Sequence, residues 1–283
     1  MHLSPVSSQF LPAGFSLVAV LVWGTSDFLG GYAARRSNAF VFTTVVHASG
    51  LLLMLGVAIA GHSVFPSRSG VVWALAAGLS GGAGLAIFYR ALASGRMGLT
   101  APVAAVLSAA IPTVFGIFTE GSPRTAQIAG FVLAAAGIWL ISRSEDGSRP
   151  QGIGTAVLAG VAFAGFYLFI KEAGDNSSVW LAAVSRIASL VLTGVIVLGA
   201  RNYQITREGL GIGVVAGILD ITGSVMFVRA AQTGRLDAAV VISSLYPAIT
   251  VLLARIFLRE HFTRWRAVGM FAALLAVPLI AMR

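Results

Sequence analysis

Long apolar runs alternate with short polar breaks along the 283 residues of this chain. The runs are roughly 20 residues long, the length a helix needs to cross about 30 Å of hydrocarbon. Ten helices fit the pattern, at about residues 12–33, 38–60, 70–92, 98–118, 125–142, 152–171, 178–200, 209–231, 238–257 and 265–282. The breaks hold the turn and charge signals: Arg35–Arg36–Ser37–Asn38, His62–Ser69, Gly121–Arg124 and Glu145–Pro150.

The pattern repeats itself. Ile87–Ile141 aligns with Met226–Ile280 in one gap-free frame of 139 positions. Phe88 meets Phe227, Arg90 meets Arg229, Gly95 meets Gly234 and Arg96 meets Arg235 in that frame. Extended backward, it brings Gly78 onto Gly217 and His47 onto Arg186. We read a duplication, with a first five-helix repeat over 12–143, a polar linker at 144–151 and a second repeat over 152–283. Five crossings is an odd number, so the second repeat must enter the membrane from the opposite side. The expected fold is an all-α integral membrane protein: ten transmembrane helices as two inverted five-helix repeats around a central cavity.

Composition agrees. Hydrophobic residues make up 57% of the chain and charged ones 10%, with a mean hydropathy of +0.90. A soluble domain carries about 25% charged residues, so this chain cannot clothe a water-facing surface. The net charge of +9 does not indicate nucleic-acid binding, because the arginines lie singly or in pairs between apolar runs, as in loops at a headgroup surface. Cysteine is absent, which removes disulfides and thiolate metal sites. Met1–Gln9 lacks Lys and Arg, so the first apolar run reads as a retained helix rather than a signal peptide. We call the side of the N-terminus side A. Six Lys and Arg fall on side A and twelve on side B, with Arg186 inside a helix. The positive-inside rule then predicts a multi-pass protein of the plasma (inner) membrane with side B cytoplasmic and both termini outside.

Several motifs carry a likeness. The first helix holds Trp23–Gly24, and the third and eighth end in Tyr89–Arg90–Ala91–Leu92 and Val228–Arg229–Ala230–Ala231. Pro112 and Pro247 mark the fourth and ninth helices, Arg259–Glu260 follows the ninth, and Arg186 lies in the second helix of its repeat. With these features the chain resembles the EamA branch of the drug/metabolite transporter superfamily, and within it the YddG-like amino-acid exporters. The resemblance implies a secondary or facilitative transporter working by alternating access. Members of the family are described with cytoplasmic termini, against which stands the charge count above. The halves also differ: Gly121 stands at the frame position of Glu260, His47 stands where the family has arginine, and Pro112 lies four residues beyond the frame position of Pro247.

Asp27 and Asp220 are the acids predicted well inside helices. A mid-bilayer carboxylate costs at least ~2.5 kcal/mol, so each should face protein or a water-filled cavity. Trp23, Asp27 and Gly30 share one helical face, and Gly217, Asp220, Ser224 and Phe227 share another. Such acids can hold a substrate ammonium or a proton, or can be satisfied by interhelical hydrogen bonds. Ser243, Tyr246 and Thr250 form a polar stripe on the ninth helix. Pro247 and Pro112 leave the carbonyls of Ser243 and Ser108 without their helical donors, which makes each proline a gating hinge or a packing kink. Tyr89, Phe163 and Tyr167 join Trp23 and Tyr246 as candidate cavity aromatics, against the alternative of lipid-facing rings. His47 and Arg186 are read as structural charges, with Arg186 snorkelling or capping helix carbonyls near one surface.

The resulting expectation is export of small metabolites, first among them amino acids including aromatic ones. Efflux of cationic or amphipathic drugs, or movement of a sugar-type metabolite, is the alternative. The chain lacks HExxH, GxSxG and P-loop motifs, so neither an enzyme nor an ATP-driven pump is expected, and no metal or cofactor. The expected partners are a small-molecule substrate and the lipid bilayer, with no nucleic acid, and a monomer holds both repeats.

Overall fold

The computed structural model describes residues 5–61, 64–120, 124–142, 151–174, 178–233, 242–243 and 245–281. Ten helices form there and no strand: α1 Pro5–Ala33, α2 Ala39–Ala60, α3 Arg68–Ser94, α4 Met97–Glu120, α5 Thr125–Ser142, α6 Ile153–Glu172, α7 Ser178–Ala200, α8 Arg207–Thr233, α9 Tyr246–Phe257 and α10 Arg264–Ala281. Seven of them are long and apolar enough to cross a membrane. The other three, α5, α9 and α10, have 18, 12 and 18 residues. Of the linker expected at 144–151, only Gln151 lies within the described residues.

Local chemistry sets the ends. Asn38 opens α2 by accepting from the amides of Phe40 and Val41, and Ser67 opens α3 by accepting from Gly70. Of the helix expected over 238–257, residues 238–241 and 244 lie outside the described residues, and 242–243 are helical. The described helix begins at Tyr246 with Leu245 as its N-cap, which puts Pro247 in the first turn, where a missing N–H leaves no helical bond unmade. Pro247 therefore stands in the first turn of α9. Pro112 does lie inside α4, and the helix continues through it to Glu120.

The outward faces are apolar. Leu52, Val132, Leu198 and Phe271 are 64–72% exposed, and Leu252 and Val195 lie open within their helices as well. Burial of such surface is favourable by about 25 cal/mol per Å², so this belt is stable only against lipid. The inward faces are built from small residues that let backbones approach. A Cβ at Gly137 would fall 2.8 Å from the carbonyl oxygen of Gly269, and one at Gly130 would fall 2.9 Å from the amide of Ile280.

These contacts are reciprocal. Gly130 packs on Leu279–Ile280, and Gly269, its partner in the 139-residue frame, packs on Leu140–Ile141. Gly78 packs on Ser185, and Gly217 on Val46, again the two frame equivalents exchanged. At the level of helices, α1 packs on α8 as α6 packs on α3, α2 on α8 as α7 on α3, and α4 on α6 as α9 on α1. The helices α2 and α7 pack on each other, as do α5 and α10. A two-fold exchange of the halves produces this set, in which residue i touches j′ and i′ touches j.

Candidate functional site

The self-paired helices α2 and α7 bring frame equivalents into contact. His47 and Arg186 stand 139 residues apart, and Arg186 Nη1 lies 3.2 Å from His47 Nδ1. A guanidinium can only donate, so Nδ1 accepts and the ring proton sits on Nε2. The other terminal nitrogen of Arg186 forms an ion pair with the Asp220 carboxylate on α8. The side chains are 15% and 19% exposed. Arg186 therefore does not snorkel toward a headgroup surface: it bridges three helices. His47 is buried, and its Nε2 has no hydrogen-bond partner.

Glycines admit the rings around this cluster. Trp23 of α1 lies on Gly223 of α8, where a Cβ would fall 2.6 Å from the indole Cδ1. Its Nε1 donates to the carbonyl of Asp220 at 3.0 Å. Ser224 also donates to that carbonyl at 3.0 Å, so its hydroxyl turns back into its own helix. Tyr246 packs edge-on against Trp23 with ring centroids 6.0 Å apart, and Phe227 closes the other side at 5.8 Å. Gly24, one residue along α1, accepts a hydrogen bond from Thr250 at 3.1 Å and meets Ile249 and the carbonyl of Tyr246, which seats α9 on α1.

Asp27 follows Trp23 by one turn. It is half-buried, and no side chain hydrogen-bonds or ion-pairs with it among the described residues. It lies within range of the Asp220 charge, and Tyr89, Tyr167 and Tyr246 each lie within range of both carboxylates. Tyr89 is fully buried: a Cβ on Gly30 would fall inside its ring. Its hydroxyl has no well-formed hydrogen bond, because the adjacent Ser26 donates instead to the carbonyl of Ala216 at 2.9 Å. Tyr167 is 48% exposed and lies in range of the carboxylates on two other helices.

The structure thus gathers Trp23, Asp27, Tyr89, Tyr167, Tyr246, Asp220, Arg186 and His47, from α1, α2, α3, α6, α7, α8 and α9. Phe163 packs edge-on against Phe88 at 5.6 Å and belongs to the core between α3 and α6. Ser243 is buried with its Oγ unpartnered, and the Ser244 side chain lies outside the described residues. The polar stripe of the ninth helix is therefore divided, with Thr250 engaged on α1.

Two features escaped sequence reasoning. Glu260, after α9, accepts from the amides of Met97 at 2.9 Å and Gly98 at 3.1 Å and so caps α4. Arg35 lies 3.5 Å from the same carboxylate, and Arg96 donates to the carbonyl of His261 at 3.0 Å. The Arg259–Glu260 turn was visible, but its target across the fold was not. Beside this assembly on side B opens a cavity of about 460 Å³ lined in part by Arg35, Asn38, Arg90 and Asn202.

Against known proteins, the model of the EamA-like transporter family matches twice, over residues 11–143 and 150–282. An uncharacterized protein of Methanocaldococcus jannaschii is 28% identical over 132 residues, which is 45% of this chain and 96% of that protein. A solved crystal structure superposes with a TM-score of 0.64 at 18% identity, covering 98% of this chain and 96% of its own, a likeness of fold.

Proposed function

The chain belongs to the EamA-like transporter family, a family of membrane transporters of small metabolites, and we propose that its two halves are inverted repeats spanning the membrane ten times. The reciprocal packing of frame equivalents supports that arrangement, since a two-fold axis in the membrane plane generates it. Transport is secondary or facilitative and works by alternating access, with the substrate held among Trp23, Asp27, Tyr89, Tyr167 and Tyr246. The expected direction is export across the plasma membrane.

The observation that carries the substrate reading is the half-buried carboxylate of Asp27 among aromatic rings. It suits a small molecule with an ammonium beside an apolar body. Amino acids with large or aromatic side chains are the first class to test. Cationic amphipaths are the second, favoured by the pairing of Arg186 with Asp220, which leaves no free cation in that cluster for a substrate carboxylate. Phosphorylated sugars are disfavoured for want of an intramembrane cluster of Lys and Arg. Reconstituted protein should move labelled amino acids or aromatic amines into or out of liposomes, with Asp27→Asn impaired. Movement of sugars but of no amine would refute the proposal.

A further inference from the structure

The two intramembrane carboxylates differ in their surroundings. Asp220 is ion-paired with Arg186, which also bonds His47, and its backbone carbonyl holds the indole of Trp23. With His47 neutral, that cluster carries no net charge. Among the described residues Asp27 has no counter-ion, and near it lies the fully buried phenol of Tyr89, whose hydroxyl has no well-formed hydrogen bond. Tyr167 and Tyr246 lie in range from two further helices, and Trp23 stands one turn away on the same face. The site as a whole therefore holds one carboxyl group without a counter-charge among the described residues, with aromatic rings of four helices around it.

The repeat frame shows that this asymmetry is built in. The frame equivalents of Asp27 and Asp220 are Phe166 and Gly81. Phe166 packs directly on Gly81, where a Cβ would fall 2.9 Å from its ring. The exchange that brings Phe166 to Gly81 brings Asp27 to Asp220. One half of the interface is thus apolar and the other is charged, with His47 and Arg186 between them.

Resting on the proposed transport reading but reversing the order of its two substrate classes, we infer that Asp27 is the receptor for a cationic head group, that the Arg186–Asp220 pair is a neutral fixture, and that the site selects aromatic monocations over zwitterions. A protonated amine pairs with the ionised form of the Asp27 carboxyl, and aromatic faces add cation–π attraction. A zwitterion brings a carboxylate as well. That group must either lie beside Asp27 unpaired or pull Arg186 away from Asp220, and either alternative weakens binding.

The test uses the purified full-length protein and three probes that share one aromatic side chain: phenethylamine, phenylalanine methyl ester and phenylalanine. Equilibrium binding is measured for the wild type, Asp27→Asn, Asp27→Glu and Asp220→Asn. The amine and the ester should bind at least tenfold more tightly than the zwitterion. Asp27→Asn should lose at least tenfold for the two cations, and Asp27→Glu should recover part of it. In Asp220→Asn, which leaves Arg186 free to take a carboxylate, the preference should shift toward phenylalanine. Equal binding of ester and zwitterion by the wild type would overturn the selection, and unchanged amine binding in a folded Asp27→Asn protein would overturn the role of Asp27. Either result leaves transport itself intact if the liposome panel is positive. Absence of binding by all three probes overturns the inference, and the panel then decides separately whether the transport reading falls with it.

Discussion

At the scale of single residues, the charge inside the bundle is held by geometry more than by composition. Arg186 lies in the middle of α7, and it contacts its own frame equivalent, His47, as well as Asp220. Removing it strands a carboxylate. For a buried pair that loses one partner the loss is about 3–5 kcal/mol, and because these side chains remain 15% and 19% exposed we expect roughly 2–4 kcal/mol for Arg186→Gln. The double substitution Arg186→Gln with Asp220→Asn leaves no unpaired charge and lets the two amides bond. It should be more stable than Arg186→Gln alone, a coupling that thermal unfolding of the four proteins in detergent would measure. A double variant no more stable than the single one would mean that Asp220 is not held by Arg186. The sequence marked both residues but not their pairing. Burial cost singles out a charge in an apolar helix without telling which neighbouring helix presents the counter-charge. In the first half the frame position of Asp220 is Gly81, which offers His47 no carboxylate.

Among the elements, the helix ends carry what periodicity could not reach. The apolar runs located ten helices, since lipid on one side and small-residue packing on the other leave a strong signal. Pro247 occupies the first turn of α9, a place that the apolar pattern around Leu245 does not mark. The start of α4 is set from far away: Glu260 accepts from two of its orphan amides while lying beside Arg35 of the segment after α1. Charge-assisted bonds of this kind contribute about 1.5–3 kcal/mol each, reduced where solvent reaches them. Glu260→Ala should lower stability by about 1–3 kcal/mol, and Glu260→Gln, which keeps one acceptor but no charge, by less. The contact joins α1, α4 and the α9–α10 turn at side B, so its loss should also loosen that end. Faster amide hydrogen exchange at Met97–Leu99, with α6 unchanged, is the expected signature; uniform protection in both variants would show that α4 holds its own N-terminus.

For the whole molecule, the repeat was legible because a constant frame of 139 residues survives even where side chains have diverged. What the frame could not give is which faces meet, and the reciprocal contacts of Gly78 with Ser185 and of Gly217 with Val46 supply that. If the two halves are inverted, an odd number of crossings separates equivalent loops, and the loop charges must choose a side. Twelve Lys and Arg lie on side B against six on side A, and the side B loops include the pair Arg35–Arg36 and the segment from Arg201 to Arg207. The bias lies in short loops next to the spans, where positive charge resists translocation. Arg35 and Asn202 also line one cavity, which places those two loops at the same end of the bundle. A cytoplasmic side B is therefore expected, with the N-terminus outside. The chain has no cysteine, so one introduced at Asn202 is a clean reporter. A membrane-impermeant thiol reagent added to intact cells should leave Asn202→Cys unlabelled and should label it once the cells are opened, while a cysteine at Ser67, at the other end of α3, should give the opposite pattern. Labelling of Asn202→Cys from outside would reverse the orientation while leaving the two-fold packing untouched.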